Sequence, residues 1–215
     1  MRELKFRKIL IINKIFEKLI TFALIKILKK LKMKTLKFSA LAMLFLGLAA
    51  CSGEVAFKTD SSSGFYTVDI PEHFEVMNDL NSEATSQFGY VGKEGGETKE
   101  HYLIILMETK DEIASYDLGF EFDAASYSEL AVQSLEGGLD NYEVITKDAK
   151  VEQVNGMDCV KNEMKGSLGA VSVFYKLGVF EGEKAFYQVL TWTIENQKEQ
   201  FGPHMDKIIN SFKEK

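Results

Sequence analysis

Two cysteines, three histidines and a few clusters of carboxylates are the side chains of this chain that could carry chemistry. Cys51 says most, because of what precedes it. Leu48-Ala49-Ala50 supplies small residues just before it, Phe38 to Gly47 an apolar run, and Met33-Lys34-Thr35-Leu36-Lys37 a basic start. That order is the layout of a secretory signal, closed by a small-residue cleavage site. The apolar stretch, at most Phe38 to Ala50, is short of the roughly 20 residues that cross a bilayer as a helix.

The other reactive side chains carry weaker signals. With Cys51 taken by the signal, Cys159 is alone and no intrachain disulfide is expected. A lone thiol could pair between molecules, but a small buried hydrophobe is the reading adopted, since only Lys161 lies close enough to depress its pKa. His73, His101 and His204 fall in a loop, at a strand start and in a helix first turn, and none has a His or Cys at metal-ligand spacing. They are expected to be structural, on the surface or half-buried, with no metal. The groups Asp117, Glu121, Asp123 and Glu94, Glu97, Glu100 lack the ordered spacing and turn glycine of a calcium loop and read as solvated charge. No glycine-framed serine elbow and no phosphate-cradling glycine loop occurs. No cofactor and no catalytic residue is expected, so the chain reads as a non-enzyme.

Charge divides the chain at the same place. Of 26 Lys and Arg and 32 Asp and Glu, residues 1–50 hold 12 and 2; residues 51–215 keep 14 and 30, a net charge of −16. Such a domain is repelled by nucleic acid and by anionic headgroups. Residues 1–32, basic and apolar, read as an upstream extension with translation starting at Met33; a basic amphipathic helix on a membrane surface is the competing reading. Residues 33–50 are the signal, and 51–63, with Ser61-Ser62-Ser63, a flexible tether. Residues 64–213 are long enough for one ordinary core.

The elements that must position these residues follow from periodicity. Phe65 to Ile70, ended by Pro71, reads as a strand, as does Ser86 to Val91. Gly92 to Glu100 reads as a hairpin turn, and His101 to Met107, apolar on both parities, as a central strand. Ser126 and Glu129 have capping-box spacing for a helix with Tyr127, Leu130, Ala131, Ser134 and Leu135 on its apolar face, stopped by Gly137-Gly138. Strands follow at 142–145, 150–154, 157–164, 171–177 and 185–194, with Asn155-Gly156 as a tight hairpin turn. A last helix carries Phe201, Met205, Ile208, Ile209 and Phe212 as one stripe, with Pro203 in its first turn. The sum is α+β: an antiparallel sheet of six to eight strands flanked by two main helices.

Two resemblances attach to these residues. Leu48-Ala49-Ala50-Cys51 resembles the lipobox of bacterial lipoproteins, which implies diacylglycerol on Cys51, removal of residues 1–50 and acylation of the new amino terminus, palmitate included. Phe65-Tyr66-Thr67-Val68-Asp69-Ile70-Pro71-Glu72-His73-Phe74 resembles the opening of the PsbP/DcrB-like fold superfamily, with Phe74 where a Trp is common. Val154-Asn155-Gly156 is similar to that family's mid-sheet turn, and Ile208 to Lys213 to its terminal helix. The resemblance implies a protein-binding or accessory domain held in the cell envelope by its lipid, with a protein partner and no nucleic acid. Ser52 after the cysteine favours the outer over the inner membrane. A carrier or sensor of a small apolar ligand is the alternative, requiring a cavity of a few hundred Å³ or more; a hydrolase is a remote one.

Overall fold

Eleven strands form among the described residues of the computed structural model, which are 55–115 and 122–215. They are β1 (Phe57–Asp60), β2 (Tyr66–Pro71), β3 (Glu75–Val76), β4 (Ser86–Glu94), β5 (Glu97–Thr109), β6 (Asp140–Val144), β7 (Val151–Val154), β8 (Met157–Leu168), β9 (Val171–Glu181), β10 (Ala185–Ile194) and β11 (Lys213–Glu214). Helices α1 (Lys110–Ala114), α2 (Ala124–Glu136) and α3 (Lys198–Ser211) punctuate them, and a 3-10 turn at Glu195–Gln197 leads into the last. The main sheet has eight strands in the order β3-β4-β5-β10-β9-β8-β6, with β7 also paired to β8; β1-β2-β11 form a small second sheet. Every pairing is antiparallel, so the fold class is α+β, as the periodicity predicts.

Both faces of the main sheet are covered, which explains why its central strands are apolar on both parities. On one face, Leu103 and Ile105 of β5 and Tyr187 and Val189 of β10 pack with Ile208 and Ile209 of α3 and with Tyr66, Val68 and Ile70 of the small sheet. On the other, Ile104, Phe186 and Leu190 meet Tyr127, Ala131 and Leu135 of α2. No described helix is long and apolar enough to cross a membrane.

The three stretches that carry the fold resemblance meet at one junction. Asn155 and Gly156 both take positive φ, 52° and 85°, and make the tight β7–β8 turn. The Asn155 side chain then donates to Asn210 O and Phe212 O, each at 2.9 Å, satisfying carbonyls at the end of α3 that the helix leaves open. Ser211 Oγ accepts from the Asp69 N–H of β2 at 2.8 Å and donates to Ile208 O at 2.7 Å. These motifs are structural: they fasten hairpin, helix end and small sheet together.

α3 also lies close against β9. A Cβ on Gly178 would sit 2.6 Å from Ile209 Cγ2 and 2.9 Å from the Phe180 ring, tighter than packed atoms tolerate. Gly178→Ala should therefore destabilise by about 1–3 kcal/mol through overpacking, read from urea unfolding. A loss under about 0.5 kcal/mol would show that α3 moves aside without cost.

Four local expectations differ. Phe57–Asp60, expected within the 51–63 tether, is β1, because Phe57 packs on the core beside β2. The Gly92–Glu100 turn shrinks to Gly95-Gly96, with φ of 59° and 86°; two adjacent glycines suffice for a two-residue loop, so charged neighbours stay in the ladder. α2 starts three residues early: its N-cap is Asp123, whose carboxylate accepts from the Ser126 N–H at 2.7 Å while Ser126 Oγ accepts from the Asp123 N–H at 3.0 Å. The capping box is thus Asp123–Ser126, and the buried arc passes through Ser128 and leaves Leu130 44% exposed. Pro203 is the sixth residue of α3, past the first turn, because the 3-10 turn carries the chain directly from β10 into a helix that begins at Lys198. Its missing N–H leaves the Glu199 carbonyl without its helical donor.

Candidate functional site

The histidines, scattered over 132 positions of sequence, converge. His101 lies on β5 with no exposed surface, beneath His204 of α3, their ring centroids 6.5 Å apart. Phe74 stands edge-on between His101 (4.8 Å) and His73 (5.6 Å), and Tyr90 closes on His73 at 4.5 Å. Phe201 and Phe57 contact His204 at 6.0 and 5.9 Å. Thr191 Oγ1 donates its one proton to Tyr102 O at 2.8 Å, so at 2.9 Å from His101 Nε2 it must accept. The proton of neutral His101 is thereby on Nε2 and Nδ1 is bare. Burial, then the neighbouring His204 and His73, push the His101 pKa down to about 3. Burial likewise lowers His73 and His204. These rings are held neutral in aromatic surroundings, and among the described residues no group of three His, Cys, Asp or Glu is arranged to hold a metal ion.

A second feature lies by the far end of α3. The β7–β8 hairpin, the β9–β10 turn and β11 enclose an open hollow of about 460 Å³ lined by Gln153, Asn155, Asp158, Glu181, Glu183 and Glu214, with Gly156, Gly182 and Met157. Glu214 accepts from the Glu183 N–H (2.6 Å), the Lys184 N–H (3.2 Å) and the Tyr187 hydroxyl (2.7 Å). Burial raises its pKa, but the Tyr187 hydroxyl, these N–H groups and the Lys184 charge together hold it below the usual carboxylate range. Glu181 pairs with Lys110 Nζ at 3.0 Å and accepts from the Ala124 N–H at the start of α2. The hollow is thus polar and acidic, although Glu214, Glu181 and Asp158 already accept from protein donors, and it is opposed to the apolar lining that a hydrophobic ligand needs. Its carboxylates come from three separate stretches of sequence at no shared spacing; Glu181-Gly182-Glu183 flanking one turn is the single local hint.

The remaining candidates separate. Cys159 is fully buried, and burial pushes its thiol up to about 12 against the opposing charge of Lys161. Thiol reagents should label it far more slowly in the native protein than in urea; equal rates would refute its burial. Glu94, Glu97 and Glu100 spread along the β4–β5 hairpin and engage Gln200 (2.8 Å), Lys99 (3.0 Å) and the Tyr102 hydroxyl (3.2 Å) respectively. Asp123 caps α2, while Asp117 and Glu121 lie outside the described residues. Ala50 and Cys51, with the extension, the signal and the first residues of the tether, also lie outside them. Trp192 stacks on Tyr102 (5.3 Å), lies tilted to Tyr175 (6.3 Å) on the neighbouring strand, and is half-buried.

No protein-family model and no curated protein sequence matches the chain. Among solved structures it is similar to LpqN of Mycobacterium tuberculosis, a protein involved in cell envelope biogenesis, at 11% identity over 76% of this chain and 87% of that one, with a TM-score of 0.47. It is similar to a Pseudomonas aeruginosa protein of unknown function at 11% identity over 74% and 96%, TM-score 0.46. It is also similar to the cyanobacterial PsbP of Synechocystis at 13% identity over 79% and 99%, TM-score 0.46. The α+β class of this chain rests on its own strand order.

Proposed function

We propose that this chain is a bacterial envelope lipoprotein: residues 1–50 are removed, Cys51 carries the lipid, and the domain beyond is a tethered, non-catalytic factor that binds a basic protein partner. The observation that carries the reading is the switch at Cys51, where a basic, apolar signal pattern gives way to a domain of net charge −16. Lipid supplies the anchorage that this charge forbids, because several acyl chains hold stably where one does not. The acidic hollow is the preferred docking point, its carboxylates steering lysine and arginine side chains. With β1 starting at Phe57, residues 52–56 span at most about 18 Å, so the domain sits close to its membrane, the outer one by the Ser52 argument.

Labelling with an acyl-chain probe should mark the wild type and not Cys51→Ser, and equal labelling would sink the anchor. Crosslinking in envelopes should capture a basic protein whose yield falls as salt rises, since screening weakens charge steering. Loss of capture in Glu183→Gln would place the contact at the hollow. Turnover of an ester, peptide or glycan by the purified protein, abolished by one point mutation, would overturn the non-catalytic reading.

A further inference from the structure

The histidine cluster has a property that packing alone does not require. One ring nitrogen on each of its three members, Nε2 of His73, Nδ1 of His101 and Nδ1 of His204, is buried with no hydrogen-bond partner among the described residues. A protonated imidazole needs acceptors for both N–H groups and a charge to balance it. The surroundings supply neither in sufficient measure. Phe57 of β1, Phe74, Tyr90 of β4 and Phe201 of α3 form the walls. The charges facing the rings are Lys58 of β1 and Glu94 of β4 on His73, Lys207 of α3 on His204, and the histidines on one another. Among the described residues only Glu94 favours protonation, and its carboxylate already accepts from Gln200 of α3. β10 contributes Thr191, which occupies the other nitrogen of His101.

We propose that the cluster of His73, His101 and His204 is an acid-sensitive latch: protonation frees the N-terminal half of α3 from the main sheet and β1, which packs on it through Phe57, from its ladder to β2, and exposes Phe57, Phe74 and Phe201. The far half of α3 stays, fastened by Phe212, by Ser211 on β2 and by Asn155. Pro203, next to His204, already leaves the helix one hydrogen bond short at the place where it must give way. The direction follows from linkage. Each histidine is harder to protonate in the closed form than in the open one, so the open form binds more protons below the ordinary value of about 6.5. Opening is suppressed above that pH and rises as pH falls through it, by up to about tenfold per pH unit for each histidine. The latch is independent of the partner-binding reading.

The test is amide hydrogen exchange on the full chain in detergent, between about pH 7.5 and about pH 5, corrected for intrinsic rates. Protection of residues 57–60 and 204–206 should fall at least about tenfold at the lower pH, with β8 and β9 unchanged. In the double variant His73→Gln, His204→Gln, most of that fall should vanish. Unchanged protection in the wild type, an equal fall in the variant, or loss shared by β8 and β9 would each overturn the proposal. If the variant does not fold, ring titration of the wild type decides. Rings that protonate at the midpoint of opening uphold the latch, and rings that titrate normally in the closed protein overturn it.

Discussion

Phe212→Ala should cost about 3–5 kcal/mol, more than any other single change argued for this chain. The side chain has no exposed surface and sits in an aromatic knot, 4.8 Å from Phe180 and 5.1 Å from both Tyr66 and Tyr187. Those rings come from β9, β2 and β10, so the truncation opens a cavity where helix, main sheet and small sheet meet. Phe212 is also the C-cap of α3, and its carbonyl receives the Asn155 side chain. The cavity therefore loosens a junction that joins all three layers. Urea unfolding of the two proteins measures the difference. Phe65→Ala is the control: Phe65 is 53% exposed and should cost no more than about 0.5 kcal/mol. Similar costs for both would mean that the C-terminal junction is not part of the cooperative core.

The second large effect is polar. Thr191→Val, a change of almost no volume, should destabilise by about 2–3 kcal/mol. Thr191 is fully buried; its hydroxyl accepts from His101 Nε2–H and donates to Tyr102 O. Valine keeps the methyl packing and the strand preference but strips both partners. His101, whose Nδ1 is already bare, would then be buried with neither nitrogen satisfied. A double-mutant cycle isolates the bond: in a His101→Phe background, Thr191→Val should cost about 1–2 kcal/mol less. Strict additivity would show that the histidine contact contributes nothing.

Which parts of this were readable without coordinates follows from the range of the forces involved. The β7–β8 turn was legible because Asn155-Gly156 is a local demand for positive φ. The central strand at His101 to Met107 was legible because coverage on both faces leaves both parities apolar. The stripe of α3 was legible for the same reason at helical spacing. Mistakes came where a local signal had a neighbour that served better. Asp123 caps α2 because its carboxylate takes the Ser126 N–H, which places Ser126 inside the first turn instead of at the cap. β1 leaves no local signal because its one packed side chain, Phe57, sits among polar residues, and what holds it is a ladder to a strand further on.

The sequence by itself determined the signal pattern that ends in Cys51, the charge of the domain behind it, the α+β class and most element positions. Each is written in adjacent residues or in a period of two or 3.6, so no long-range information is needed to see it. Only the tertiary structure decided which side chains meet. His73, His101 and His204 carry no spacing that predicts contact, and they come together because α3 folds back over β5 and the turn after β2 closes the gap. The hollow is of the same kind, since Asp158, Glu181 and Glu214 reach one place through the pairing of β8 with β9 and the return of the chain end to β2. Side-chain convergence is set by strand order and helix docking, which depend on the burial of two whole sheet faces at once, and no short window of residues encodes that.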